Sequence, residues 1–184
     1  MSKTNIVICG QKYTGKSTIV LHATGKSIPN SYVPTIGVDY GSFKCKVGKI
    51  KLKMVIWDLA GDSRFSYVEP TFFQKAMLVV CVFDLTNQES FDVLSQYIEK
   101  ANNNSAFIFV GTHSDQPQII NDNAIKEFST LHSAPIYKIN ALEEAEVIIL
   151  LHRIASECVE KGKYTDDDEK EIENLNARAC CYTQ

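Results

Sequence analysis

Short apolar runs recur along the chain and are separated by polar turns. The densest runs are almost continuously apolar, which is typical of strands buried on both faces of a parallel sheet. These runs lie at 5–9, 77–83, 106–110 and 135–139. Two longer extended runs, 38–47 and 50–57, are joined at Gly48-Lys49 and predict a β-hairpin.

Helical patterns fill the intervals between these runs. A helix is predicted to open at Thr18, and others to cover 90–101, 122–131 and 142–161. The last helix has one apolar face, formed by Val147, Leu150, Leu151, Ile154 and Cys158. Alternation of strands and helices predicts an α/β fold with a mostly parallel sheet, in which ligands lie at the carboxyl ends of the strands.

Composition adds a boundary and several exclusions. With 184 residues, 45% hydrophobic and 22% charged, the chain suits one domain, which we place at 1–162. Residues 163–184 carry six acidic and three basic residues, so this predicted flexible tail accounts for the whole net charge of −3. No basic surplus favours nucleic acid, and no apolar run has the length of a membrane span or a signal peptide.

The six cysteines fall into two groups. Cys9, Cys45, Cys81 and Cys158 lie in apolar segments and are interpreted as buried thiols in a reducing compartment. No C-x-x-C spacing indicates zinc. Cys180 and Cys181, in contrast, are adjacent, close to the end and in a polar segment.

The strongest chemical signal is G-x-x-x-x-G-K-S between the first strand and the first helix. Such a P-loop points backbone N–H groups and a helix N-terminus at phosphate. Lys16 is expected on the β- and γ-phosphate oxygens, and the Ser17 hydroxyl on Mg²⁺. The motif reads Gly10-Gln11-Lys12-Tyr13-Thr14-Gly15-Lys16-Ser17. The competing interpretation is a glycine-rich turn that binds nothing, but such a turn gives no reason for the Gly-Lys-Ser sequence.

Two more segments extend the phosphate site. A strand ends in D-x-x-G, where Asp58 can hold the Mg²⁺ shell through water and the Gly61 N–H can sense a γ-phosphate. Thr35, in the loop before the hairpin, can complete the metal's coordination. Taken alone, such an Asp is often a helix cap and Thr35 a turn residue.

A further pair of segments indicates the base. Asp115, in Gly111-Thr112-His113-Ser114-Asp115, can accept from both N–H groups on the edge of guanine, which adenine does not offer. Asn140-Ala141-Leu142, after the last strand, can direct a backbone N–H at the guanine carbonyl. An Asp in a loop turn is the plain alternative.

These motifs together resemble the Ras superfamily of small GTPases, and the Rab branch most. The segments 35–40, 57–65 and 83–91 are similar to Rab segments. The resemblance implies a six-stranded sheet with five helices, a monomer that cycles between GTP and GDP, and nucleotide contacts that include Tyr13, Thr14, Thr18 and Tyr32. It also implies exchange factors, activating proteins, effectors and an escort that masks lipid, at the cytoplasmic face of an intracellular membrane.

Several positions depart from the family pattern. Asp62 stands where the family usually has the Gln that orients the attacking water, and Lys12 replaces a small residue beside the γ-phosphate. The base segment has Thr112 and His113 in place of Asn and Lys. Ile28 replaces an aromatic residue, and Leu142 replaces a Lys. We therefore expect slow hydrolysis and a looser base pocket.

The final residues, Cys180-Cys181-Tyr182-Thr183-Gln184, resemble the two-cysteine prenylation endings of Rab proteins. Cys181–Gln184 also has the length of a C-a-a-X box, and a pair of stray cysteines is the plain alternative. Because one lipid gives marginal membrane binding and the tail is not basic, we expect both cysteines to be modified.

Three functional interpretations remain open on the sequence. The first is a prenylated switch that binds Mg²⁺ and GTP and hydrolyses GTP, with Lys16, Thr35, Gly61 and Asp62 around the chemistry. The second is a nucleotide-loaded scaffold with negligible turnover, favoured by Asp62 and Lys12. The third, an ATP-dependent P-loop kinase, is weakened by Asp115.

Overall fold

A computed structural model describes residues 1–31 and 33–166. One sheet forms the centre, with strand order β2-β3-β1-β4-β5-β6 and a seventh, two-residue strand beside β1. All pairs along the six-strand path are parallel except the β2–β3 hairpin. The strands are β1 Ser2–Cys9, β2 Val38–Val47, β3 Ile50–Leu59, β4 Leu78–Asp84, β5 Ala106–Thr112, β6 Ile136–Lys138 and β7 Thr165–Asp166.

The helices lie on both faces of the sheet. They are α1 Lys16–Ala23, α2 Glu69–Phe73, α3 Gln88–Asp92, α4 Leu94–Lys100, α5 Asp122–Leu131 and α6 Glu144–Glu160, with a 3₁₀ turn at Ser63–Phe65. Helices α3 and α4 follow one another with only Val93 between them, so they occupy the place of one predicted helix. The six-stranded, mostly parallel sheet with five helical bodies is confirmed.

The core has two halves, one on each face of the sheet. One half joins the sheet to α1 and α6 and is filled by aliphatic residues such as Ile8, Ile19 and Leu151. The other half, beneath α2 to α5, is rich in aromatic residues, with Phe83 edge-on to Phe91 and Phe109 edge-on to Phe128. The strands between them are buried on both faces, which explains their continuous apolar runs.

The C-terminal end of α2 is fastened to the loop that precedes β5. The Asn102 side-chain amide donates to the carbonyls of Phe73, Gln74 and Ala76 at 3.3, 3.0 and 3.1 Å. At the other end of α2, the buried Glu69 carboxylate accepts from Lys100 of α4 at 2.7 Å. The Asn102 contacts give donors to carbonyls at and just beyond the end of α2, where partners inside the helix run out.

Strand β7 pairs antiparallel with the start of β1, joining Thr165 to Lys3 and Asp166 to Ser2. The first residues of the predicted tail, 163–166, therefore belong to the described structure. The remainder of that prediction, including the two-cysteine ending, lies outside the described residues. No helix in the described ranges has the length and apolar character to cross a membrane.

The thiols predicted to be buried are free. Cys9, Cys81 and Cys158 are buried and Cys45 is half-buried. Cys9 and Cys81 are register partners on β1 and β4, with sulfur atoms 3.6 Å apart. Burial raises the pKa of Cys158 to about 12 and raises the pKa of Cys9 strongly, so these thiols are held in the protonated, unreactive form.

Candidate functional site

The loop between β1 and α1 wraps tightly at the carboxyl end of β1. Gly10 has φ 141°, and a Cβ there would lie 2.0 Å from the Val82 carbonyl oxygen, so only glycine fits. Tyr13 and Gly15 also have positive φ values, 69° and 81°. The loop therefore adopts the compact backbone that the motif predicts, and α1 begins at Lys16.

Lys16 lies inside this loop. It is 5% exposed, and its ammonium donates to the Gln11 carbonyl at 2.7 Å. Burial lowers the Lys16 pKa, while the negative charge of Asp58 opposes that shift. The same Gln11 carbonyl accepts from the Thr14 hydroxyl at 2.9 Å. The loop thus holds a buried cation against one of its own backbone carbonyls, at the place where a phosphate is expected.

Three hydroxyl and carboxylate groups predicted as metal ligands meet at one point. The Ser17 hydroxyl donates to Asp58 Oδ2 at 2.5 Å, and Thr35 Oγ1 donates to the same oxygen at 3.2 Å. The two hydroxyl oxygens are 2.8 Å apart. Residues from α1, from the loop before β2 and from the end of β3 are therefore brought together, as the sequence predicts.

The chemistry of this cluster fits Mg²⁺. Asp58 is 1% exposed, and its Oδ1 is buried with no hydrogen-bond partner among the described residues. Burial raises the Asp58 pKa, and the hydroxyls and Lys16 oppose the shift. A hard oxygen donor set with an unsatisfied carboxylate oxygen suits a hydrated divalent cation. The described residues contain no cluster of three or more His, Cys, Asp or Glu side chains that could hold a metal ion.

Gly61 lies directly against the P-loop. Its carbonyl accepts from the Lys12 N–H at 3.2 Å. A Cβ at this position would be 2.3 Å from the Lys12 nitrogen and 2.7 Å from the Lys16 ammonium. The close approach explains the glycine of D-x-x-G physically, because any side chain would displace the lysine that the phosphate site needs.

Asp62, the unusual residue of this segment, is held by a neighbour. Its carboxylate accepts from the Arg64 backbone N–H at 3.0 Å and from the guanidinium at 2.9–3.2 Å. These hydrogen bonds lower the Asp62 pKa to about 2. The carboxylate therefore starts the 3₁₀ turn at Ser63 and has its charge balanced mainly by Arg64, with a smaller contribution from Lys12 of the P-loop.

The residues predicted to contact the base lie on two adjoining loops. The Thr112 hydroxyl is fully buried and lies 3.0 Å from the Thr14 carbonyl oxygen and 3.1 Å from that of Phe83. The Ser114 N–H donates to the Ile139 carbonyl at 3.2 Å, which joins the two loops. Asp115 is exposed at the end of its loop. Thr112 thus joins β5 to the P-loop and to β4. Asp115, in contrast, is accessible to a ligand.

In the loop 140–142, two of the three backbone N–H groups already have acceptors within the described chain, so only one is available to a base. The Asn140 N–H donates to Glu146 at 2.8 Å, and the Leu142 N–H donates to the Asn140 side chain at 3.0 Å. In the described part of the chain, the Ala141 N–H is the amide of these three without an internal acceptor. Ala141 also packs beside Gly15, while the Leu142 side chain is exposed.

Other predicted residues are less closely tied to the cluster. Ile28 is half-buried in the loop after α1. Lys12 is exposed, with its ammonium 5.9 Å from the centre of the Tyr13 ring. Thr18 is half-buried in the first turn of α1. Tyr32 lies outside the described residues.

Sequence reasoning missed several residues that hold the site. Gln11 occupies a variable motif position, yet its carbonyl fixes Lys16 and its side chain donates to Glu89 of α3 at 3.1 Å. Asp84 lies 3.2 Å from the His113 ring and accepts from Thr86. Glu146 caps the last loop. Asp84 could have been predicted, because it is a carboxylate at the end of the buried strand β4. The contact between Gln11 and Glu89 could not, because the two residues are 78 positions apart in the sequence.

The fold and this cluster define a P-loop nucleotide-binding domain. The family model described as "Ras family" matches residues 5–160. The chain belongs to the Ras family.

Curated relatives agree with that assignment. The chain is 31% identical over 143 residues to "Ras-related protein Rab-1" of Theileria annulata, covering 75% of this chain and 64% of that protein. It is 35% identical over 115 residues to "Ras-related protein Rab-1" of Theileria parva, covering 60% of this chain and 52% of that protein. To "GTP-binding protein YPT1" of Saccharomyces cerevisiae it is 26% identical over 148 residues, covering 77% and 72%. It thus spans half to two thirds of the two Theileria proteins.

Proposed function

We propose that this chain is a Rab-like small GTPase, a switch that binds Mg²⁺ and GTP, hydrolyses GTP slowly to GDP and phosphate, and recruits effectors in membrane traffic. The observation that carries the proposal is the convergence of Ser17, Thr35 and Asp58 beside the buried Lys16. Membership of the Ras family and similarity to proteins named Rab-1 and YPT1 support it.

The phosphate side supports a switch because it joins the loop that carries Thr35 to the P-loop. Bound Mg²⁺ supplies positive charge to the phosphate oxygens. Thr35 belongs to the loop before β2, and Gly61 follows β3, so both ends of the hairpin meet the nucleotide site. A γ-phosphate that binds both residues holds the two loops, and its loss releases them.

The base side supports guanine over adenine. An exposed Asp115 carboxylate accepts two hydrogen bonds from guanine, and the Ala141 N–H is available for the guanine carbonyl. Adenine leaves the carboxylate without those donors, which costs affinity because a site built for hydrogen bonds rejects ligands that cannot make them.

Slow hydrolysis follows from the position of Asp62. Its carboxylate carries no N–H to orient a water and is occupied by Arg64 at 2.9 Å. The same observation favours the second candidate, a GTP-loaded scaffold with negligible turnover. The two differ only in the rate at which bound GTP becomes GDP.

The test combines nucleotide selection with a single turnover. Protein with its copurified nucleotide replaced by radiolabelled GTP is followed for release of phosphate, and ATP is offered as a competitor. The Asp115→Asn variant is expected to lose guanine preference, whereas Asp92→Asn, on the exposed side of α3, is the matched control. Equal competition by ATP refutes the guanine site. Undetectable phosphate release over hours selects the scaffold.

The membrane part of the proposal rests on the sequence ending. Cys180 and Cys181 are proposed to carry prenyl groups, geranylgeranyl by resemblance to Rab endings, and to attach the protein to the cytoplasmic face of an intracellular membrane. Exchange factors, activating proteins, a lipid-binding escort and effectors are the partners this implies. Intact mass of protein from a eukaryotic host measures the modification directly, and an unmodified mass refutes it.

A further inference from the structure

The β2–β3 hairpin carries a strongly basic face at the edge of the sheet away from the nucleotide site. Lys44 and Lys46 lie on β2, directly opposite Lys53 and Lys51 on β3. Lys49 lies in the turn between the strands. Because side chains alternate along a strand, the four strand lysines project from one face, which we call the lysine face.

This face has no acidic partner among the described residues. Its other hairpin positions nearer the nucleotide site are Tyr40, Ser42, Val55 and Trp57, none of them acidic. No ion pair of the described chain includes any of the hairpin lysines. Lysines placed directly opposite each other repel, so the arrangement destabilises the hairpin unless a counter-charge is present.

Edge strands often carry lysines that prevent sheets from pairing with one another, and this explains the lysines of β2, which is an edge strand. It does not account for Lys51 and Lys53, because β3 is an inner strand with β1 on its other side. The lysine face is therefore wider than protection of an edge requires.

The chain itself delivers acidic residues to this place. Thr165 of β7 pairs with Lys3, Lys3 pairs with Lys53, and Lys53 pairs with Lys44, so one row crosses four strands. Strand β7 ends at Asp166, and the sequence continues Asp167-Asp168-Glu169-Lys170-Glu171-Ile172-Glu173. Five acids thus follow a strand that lies in the same row as the lysines.

The distances from β7 to the two strands of the hairpin are short. Adjacent strands are about 4.8 Å apart, so β3 lies about 10 Å and β2 about 14 Å from β7. Seven residues, 167–173, reach up to about 23 Å when extended. A short tether gives an effective concentration in the millimolar range, so even a weak attraction between the two segments is populated within one molecule.

We propose that the acidic segment 167–173 docks on the lysine face of the β2–β3 hairpin. The contact is intramolecular and depends on charge, and it lies at the end of the sheet opposite the P-loop. It keeps the lysines away from anionic lipid surfaces and holds the start of the tail beside the domain. Nucleotide binding is independent of it, so failure of this proposal leaves the proposed function untouched.

The test is amide NMR on the unlipidated full chain. Spectra are compared with those of a variant whose tail acids are neutralised (Asp167→Asn, Asp168→Asn, Glu169→Gln, Glu171→Gln, Glu173→Gln). Shift differences are expected at residues 44–53 and are expected to vanish when salt rises from about 0.05 to about 1 M, since ions screen exposed charges.

A matched pair of lysine variants locates the surface. Lys46→Gln with Lys51→Gln is expected to reproduce the neutralised-tail shifts in the hairpin. Lys75→Gln with Lys126→Gln is expected to leave them unchanged, because these exposed lysines lie in the turn after α2 and in α5. Hairpin shifts identical in the full chain and the neutralised tail overturn the proposal. Equal effects of the two lysine pairs overturn it as well.

Binding to anionic vesicles tests whether a membrane, rather than the acidic tail, occupies the lysine face. With vesicles of about 30 mol% phosphatidylserine, neutralising the tail is expected to raise sedimentation of the protein, by about fivefold for each freed lysine that reaches the anionic surface. Lysine-dependent vesicle binding that is equally strong with the acidic tail intact assigns the face to the membrane and overturns docking of the tail.

Discussion

Replacing Thr112 by valine tests how far the P-loop depends on β5. The Thr112 hydroxyl has one proton and two carbonyl acceptors within 3.1 Å, those of Thr14 and Phe83, so it donates to one at a time. No other described residue donates to the Thr14 carbonyl. Valine has nearly the same shape but no donor, so the variant leaves a buried P-loop carbonyl without a partner.

The magnitude follows from that count. One buried acceptor without its partner costs about 1–3 kcal/mol. Burying a methyl group in place of a hydroxyl offsets up to about 1 kcal/mol. We expect a net loss of about 1–2 kcal/mol in the free energy of unfolding, or about 2–8 °C in Tm for a chain of this size. If the loss falls on the nucleotide-bound loop, GDP release accelerates about 5–30-fold.

Thr24→Val is the matched control. Its hydroxyl donates to the carbonyls of Val20 and Leu21 within the same helix, at 3.1 and 3.0 Å, and both carbonyls keep backbone N–H donors. No acceptor is left unpaired, so the expected cost stays below about 0.5 kcal/mol.

Urea unfolding at two saturating GDP concentrations separates stability from ligand linkage, and a fluorescent GDP analogue reports release. Equal effects of Thr112→Val and Thr24→Val on both measurements would show that the hydroxyl of β5 does not hold the P-loop.

Four further outcomes are expected. Ser17→Asn weakens Mg²⁺-dependent GTP binding, measured by calorimetry, because the hydroxyl beside the buried carboxylate is lost; unchanged binding contradicts the assigned ligand. Asp62→Gln raises the single-turnover rate by restoring an amide that orients water, and Ile28→Phe slows GDP release by packing on the base; an unchanged rate in either variant counts against that interpretation. Arg64→Ala raises the Asp62 pKa from about 2 toward its ordinary value. The stabilisation by this pair is complete above that ordinary pKa and is lost as pH falls toward 2, so the variant loses that part of the acid dependence of unfolding, which a carboxyl NMR titration checks.

Sequence patterns predicted the elements with strong local signals. The helix over 122–131 has the bounds of α5, because Asn121 caps its start and the pattern ends at His132. Strand β1 begins at Ser2 rather than Asn5, since its first residues pair with Leu52 and Lys53 on β3, a contact that no local pattern contains. Strand β7 was missed for the same reason, as two residues carry no period.

The site shows the same division. Lys16, Ser17 and Asp58 were predicted because each belongs to a motif with a required spacing, and Thr35 was predicted from its place in the loop before the hairpin. The structure brings their side chains together. The pairing of Asp62 with Arg64 was not predicted. The family comparison directed attention to the γ-phosphate, whereas a carboxylate two residues before an arginine caps the backbone locally.

The contacts that hold α2 in place limit the length of the segment between β3 and α2 that could change conformation. From Glu69 onward, the segment is tied to α4 through Lys100 and to the loop before β5 through Asn102. Between the last ladder partner of β3, Leu59, and Glu69 only nine residues remain, and they are held mainly by local turns. If the proposed switch has two states of this loop, a partner that distinguishes them would meet an arc of nine residues in front of a helix that both states share.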